Sequence, residues 1–173
     1  MGLKDVDYGR RDTEYDREFN LLYIKVNPTI KTGIVKSKTE VDIKTISNLA
    51  IYEIEKDNLI HFFEKGTKNK IVHYFYETCY NEKLERMDFN TQSYQIFNNQ
   101  NIEKREKSDK LFMVTEKEQT NEYELWISSR SGINKQMVKR FQKELDWRID
   151  VYNKKVLFIH KLENEIKVTS IDW

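Results

Sequence analysis

Short runs in which apolar and polar residues alternate, separated by small polar turn sequences, dominate this chain and restrict it to strand-rich folds. Leu22, Ile24 and Val26 alternate up to Pro28, and Val41, Ile43 and Thr45 repeat the pattern. Ala50 to Glu55 and Leu59 to Phe63 flank Lys56-Asp57-Asn58, a hairpin signature whose Asp-Asn pair suits the turn. Ile71 to Tyr80 carries Tyr74, Tyr76 and Tyr80 on one face and His73, Phe75 and Cys79 on the other, as a central strand does. Leu111 to Val114 and Tyr123 to Ile127 read as a hairpin around Lys117 to Thr120. Strands near Ile149 to Tyr152, Val156 to His160 and Ile166 to Ile171 complete the series.

One segment breaks this rhythm. Ile133, Met137, Val138, Phe141 and Leu145 recur at helical spacing behind Ser131, a good N-cap, and predict an amphipathic helix over about 132–146. A shorter helix capped by Asp12 or Thr13 is expected through Tyr15 and Phe19. The sequence therefore predicts an α+β fold: a mostly antiparallel, hairpin-rich, curled sheet with one main helix packed on it. It is expected to form a single domain over 1–173, with a mobile N-terminus at 1–11. Asn98-Asn99-Gln100-Asn101 and Glu103-Lys104-Arg105-Glu106-Lys107 place a solvated loop at 98–110.

Across 173 residues, 30 basic side chains almost cancel 29 acidic ones, leaving a formal charge of +1. That balance argues against a basic-armed nucleic-acid protein, so a charged partner must be met by a local patch. No apolar run approaches the roughly 20 residues that cross a bilayer, and Met1 to Asp5 lacks the apolar stretch of a signal peptide. A soluble, cytoplasmic protein with no membrane partner is expected. Cys79 stands alone, which leaves no intrachain disulfide and no cysteine zinc knuckle. Aromatic residues at 13% supply a core despite the polar average. Ala50 is the sole alanine while Lys, Asn and Ile abound, a bias that fits an AT-rich microbe, its phage or another mobile element.

The segment from Trp126 to Gly132 concentrates the polar chemistry. A strand leading through Ser128, Ser129, Arg130 and Ser131 into a helix would present unpaired backbone donors to an anion, with Lys135, Lys139 and Lys143 along one stripe. Basic residues at a helix start oppose the macrodipole, which points to binding rather than stability. The spacing does not match a phosphate-binding GxxxxGK[ST] loop. The resulting expectation is a noncatalytic binding, accessory or inhibitor protein that uses this local basic patch to engage a phosphate-bearing nucleic acid or an acidic protein. The alternative is a metal-dependent nuclease in which Asp42, Glu53 and Glu55, on neighbouring strands, converge on one divalent ion. His61, His73 and His160 show no zinc-ligand spacing, and no cofactor or resident metal is expected.

Overall fold

A computed structural model describes residues 13–32, 38–41, 45–67, 69–80, 86–89, 93–95, 108–117, 120–150 and 153–173. The expected α+β class is overturned: the described residues hold no α-helix, and their regular structure is antiparallel strand apart from one 3-10 turn. Two compact units divide the chain, Met1–Lys70 and Ile71–Trp173.

In the first unit, β1 (Thr13–Asp16), β2 (Leu21–Val26), β3 (Thr29–Thr32), β4 (Lys38–Val41), β5 (Asn48–Glu53) and β6 (Asn58–His61) follow in order. A four-stranded sheet runs β1-β2-β5-β6, and β3 pairs with β4. Thr13 to Asp16 is therefore strand, not the start of a helix. The chain reverses after it because the Asp16 carboxylate accepts the N–H groups of Glu18 and Phe19, and Asn20 takes the left-handed conformation at φ 53°. The hairpin read at Lys56-Asp57-Asn58 is present. Its corner is the 3-10 turn Ile54–Lys56, closed by Asp57 at φ 49°. Asn48 to Ile51 are all buried, which fits β5 to the centre of its sheet. Leu21, Tyr23, Leu49, Ile51, Phe62 and Phe63 form the apolar interior of this unit.

The second unit continues with β7 (Lys70–Phe75), β8 (Glu77–Tyr80), β9 (Arg86–Phe89), β10 (Ser93–Gln95), β11 (Leu111–Glu116), β12 (Glu122–Ser128), β13 (Gln136–Gln142), β14 (Asp146–Asp150), β15 (Lys155–Lys161) and β16 (Ile166–Asp172). They form three sheets, ordered β13-β12-β11-β7, β14-β15-β16 and β10-β9-β8. The single strand expected over Ile71 to Tyr80 is interrupted at Tyr76, so its halves join different sheets. A shared core joins the first two sheets: Phe75, Phe112, Val114, Leu125, Ile127 and Phe141 meet Ile149, Val156 and Phe158. Rings interlock there, with Phe141 and Phe158 5.2 Å apart and Phe75 edge-on to Trp147 at 5.6 Å.

The segment expected to be the main helix, 132–146, holds the end of the β12–β13 loop, β13, the turn after it and the first residue of β14. Leu125 faces Lys139 and Trp126 faces Met137, so Val138 has no opposite residue and the strand bulges. The bulge explains the misleading spacing. Both Val138 and Phe141 reach the same core although they lie three residues apart, which regular alternation forbids and a helix would allow. Residues 1–11, expected to be mobile, and residues 98–107 of the expected loop lie outside the described residues.

Candidate functional site

The loop between β12 and β13 is closed upon itself. Ser129 N–H donates to the Ile133 carbonyl at 3.0 Å, while the Ser129 hydroxyl accepts the Ile133 N–H at 3.1 Å. The Ser129 and Ser131 hydroxyls lie 3.0 Å apart, and the buried Ser128 hydroxyl donates to the Ser129 carbonyl. Gly132 at φ 80° and Asn134 at φ 55° bend the chain into β13, so the helix terminus that would offer backbone donors to an anion does not form.

Arg130 is wholly buried. Its Nε donates to the Ser108 carbonyl at 2.8 Å and its Nη2 to the Glu77 carbonyl at 2.7 Å, with the guanidinium over the Tyr76 ring. The buried Glu77 carboxylate accepts the Ser108 N–H at 3.0 Å, and Asp109 accepts the Arg130 N–H at 2.9 Å. Arg130 therefore ties together three segments of this unit. The structure brings Ser128, Ser129, Arg130 and Ser131 into one loop and distributes the lysines elsewhere. Lys135 is exposed ahead of β13, Lys139 lays its ammonium over the Phe158 ring, and Lys143 pairs with Glu116 beyond the strand end.

Of the carboxylates considered for a metal, Asp42 lies outside the described residues. Glu53 is buried and Glu55 sits in the exposed 3-10 turn rather than on the strand. Both Glu53 oxygens are occupied, one by Lys56 Nζ at 2.7 Å and the other by Asn58 Nδ2 at 3.1 Å. These hydrogen bonds and the Lys56 charge hold its carboxyl below the ordinary range, against the opposing effect of burial. Glu55 accepts a hydrogen bond from Asn20 instead of turning toward Glu53. Among the described residues no group of three His, Cys, Asp or Glu side chains is placed to hold a metal ion. Tyr74 and Tyr76 are buried, and the side chain of Cys79 lies outside the described set. Nor is any helix there long and apolar enough to cross a membrane.

The second unit also carries exposed apolar side chains along β16. β16 is an edge of a three-stranded sheet, whereas the two largest sheets have four strands each. Thr169 lies opposite Phe158 and Ile171 opposite Val156, so these side chains turn toward the core. Ile166 and Val168 turn the other way, beside Lys161 and Ile159, and are 71% and 56% exposed. Leu162, in the turn between β15 and β16, is 53% exposed. Charged pairs bracket this apolar strip: Lys155 meets Asp172 at 3.2 Å at one end, and Lys161 meets Asp146 at 2.5 Å at the other. The Lys161 hydrogen bond and charge lower the Asp146 carboxyl. A shallow cleft of about 350 Å³ adjoins that second end, lined by Leu145, Asp146, Ile159, Lys161 and Leu162 among others. The run Ile166-Lys167-Val168-Thr169-Ser170-Ile171 has apolar and polar residues on both faces, so only the pairing with β15 reveals which apolar side chains are left outside.

No protein-family model, curated protein or solved structure matches this chain.

Proposed function

We propose that this protein is a noncatalytic binding protein that docks an extended segment of a protein partner along the edge of β16. The observation that carries this reading is the edge itself: seven residues of regular strand with Ile166 and Val168 largely exposed. Sheet edges left long and apolar are templates for another strand, and proteins usually blunt them with proline, bulges or inward-pointing charge. β16 pairs with β15 without a register shift and contains no proline; its one charge on the inner face, Lys167, is exposed near the start of the strand opposite His160. Main-chain hydrogen bonds would supply affinity, and alternate side chains on the exposed face would supply selectivity. A protein partner is favoured over a phosphate because Arg130 directs its donors to the Ser108 and Glu77 carbonyls.

Selection from a displayed library of random linear peptides tests this reading. Enriched peptides should alternate apolar with polar residues, and their binding should be lost in Ser170→Pro, which removes one edge donor. The bond from Trp173 N–H to the Lys154 carbonyl sets the odd-numbered residues of β16 in hydrogen-bonded pairs with β15, so the N–H groups of Ile166, Val168, Ser170 and Asp172 point outward. Enrichment of peptides whose binding survives Ser170→Pro and Val168→Lys would overturn the reading.

A further inference from the structure

We infer that the strand seated on β16 is β16 of a second copy of this chain, joining the two three-stranded sheets into one of six strands. The inference rests on the reading of β16 as a docking edge and names its occupant. Antiparallel pairing of identical strands about a two-fold axis requires one residue to face its own counterpart. Placing Thr169 on the axis is the one choice that pairs all seven residues from Ile166 to Asp172. Centring on Lys167 would set two lysines directly against each other, an unfavourable cross-strand pair.

The Thr169 register is complementary in charge and in shape. On the outer face, Asp172 falls opposite the second copy's Ile166, whose neighbour on β15 is Lys161. Reading across the joined sheet gives Lys155, Asp172, then the second copy's Ile166, Lys161 and Asp146, so the charges alternate in sign. Asp172 and the second copy's Lys161 stand two strand spacings apart, about 10 Å between backbones, which a lysine side chain can span. The next row reads Leu157 and Ser170, then the second copy's Val168 and Ile159, an apolar row relieved by one small hydroxyl. On the inner face the two Thr169 side chains meet, a favoured cross-strand pair. Two-fold symmetry repeats each row, so both exposed Val168 side chains gain a neighbour.

Seven paired residues bury less than the roughly 1,200 Å² of a standard stable interface, so the association is concentration-dependent. Sedimentation velocity over a concentration series should show the mass rising from the 21.0 kDa of one chain toward twice that value. Ser170→Pro, whose N–H points away from β15, and Val168→Lys should remain at one chain throughout, with unchanged near-ultraviolet dichroism showing that the unit is folded. With Cys79 replaced by serine, Thr169→Cys should form a disulfide-linked dimer on mild oxidation, whereas Ser170→Cys, which faces Val168 of the other copy, should not. A wild-type mass of one chain at every concentration overturns the second copy as occupant and leaves the docking edge to the peptide selection. A dimer that survives both edge variants overturns the occupant and the edge together. Equal crosslinking of the two cysteine variants overturns the register and with it the complementarity argued here.

Discussion

Asn48 holds both backbone groups of Phe63: its Nδ2 donates to the Phe63 carbonyl at 2.8 Å, and its Oδ1 accepts the Phe63 N–H at 2.9 Å. The same Oδ1 accepts the Leu49 N–H. The side chain therefore substitutes for a strand where β6 has ended, and fixes Phe62 and Phe63 in the interior of the first unit. Asn48→Ala leaves these buried groups unpaired at about 1–3 kcal/mol each. A loss of about 2–4 kcal/mol in chemical denaturation of the first unit is expected, and a loss below 0.5 kcal/mol, roughly the scatter of a surface substitution, would show that water replaces the amide. Asn48→Asp keeps the acceptor and loses the donor, so that variant should gain stability as the pH falls and its carboxyl protonates.

Glu53 supplies a pH-dependent contribution at the β5–β6 corner. Its folded-state pKa lies below the ordinary carboxylate value of 4.5 because Lys56 and Asn58 hydrogen-bond the ionised form. The sign follows: the contribution is present in full above the unfolded value and is lost as the pH falls through the folded one. Lys56 is 68% exposed, so screening limits the pair to about 1 kcal/mol or less. Glu53→Gln should lower stability by that amount at pH 7 and flatten the acid limb of the stability profile. An acid limb identical to wild type would place the titrating group elsewhere.

Phe141 is expected to be as important in a strand as it would be in a helix. Its ring packs against Tyr123, Trp147 and Phe158 and is 4% exposed. Phe141→Ala should cost about 3–5 kcal/mol, read as a lowered denaturation midpoint. Val138→Pro distinguishes the bulge from regular pairing, because a bulge residue tolerates proline far better than a paired one. A cost equal to that of Lys139→Pro, whose residue pairs with Leu125 with its N–H toward β12, would mean that the bulge does not form.

The contrast between β13 and its neighbours shows what this sequence discloses. At β5–β6, β11–β12 and β15–β16, alternation and turn residues agree, so the hairpins are legible. At β13, Lys135, Gln136, Met137, Lys139, Arg140 and Gln142 are all good helix formers, and the bulge at Val138 adds apolar spacing of three. Pairing with β12 overrides both local signals. β9 and β10 were hidden for a different reason: Met87, Phe89 and Tyr94 are too scattered among polar residues to show a period. Ser131 and Arg130 suggest an anion site only where a helix follows them, and the edge at β16 is not legible because its sequence does not reveal which face is covered.

Arg130 tests whether the Ser-Arg loop is structural. Removing a buried guanidinium leaves the Ser108 and Glu77 carbonyls without these donors, at about 1–3 kcal/mol each, so Arg130→Met should cost about 2–6 kcal/mol. Arg130→Lys should recover only part of this, because a single ammonium cannot reproduce the fork that reaches two carbonyls. Inorganic phosphate gives an independent measurement: if the guanidinium is committed to the fold, phosphate should shift the thermal midpoint no more than sodium chloride of equal ionic strength. A phosphate-specific rise that disappears in Arg130→Lys would return the loop to an anion-binding role.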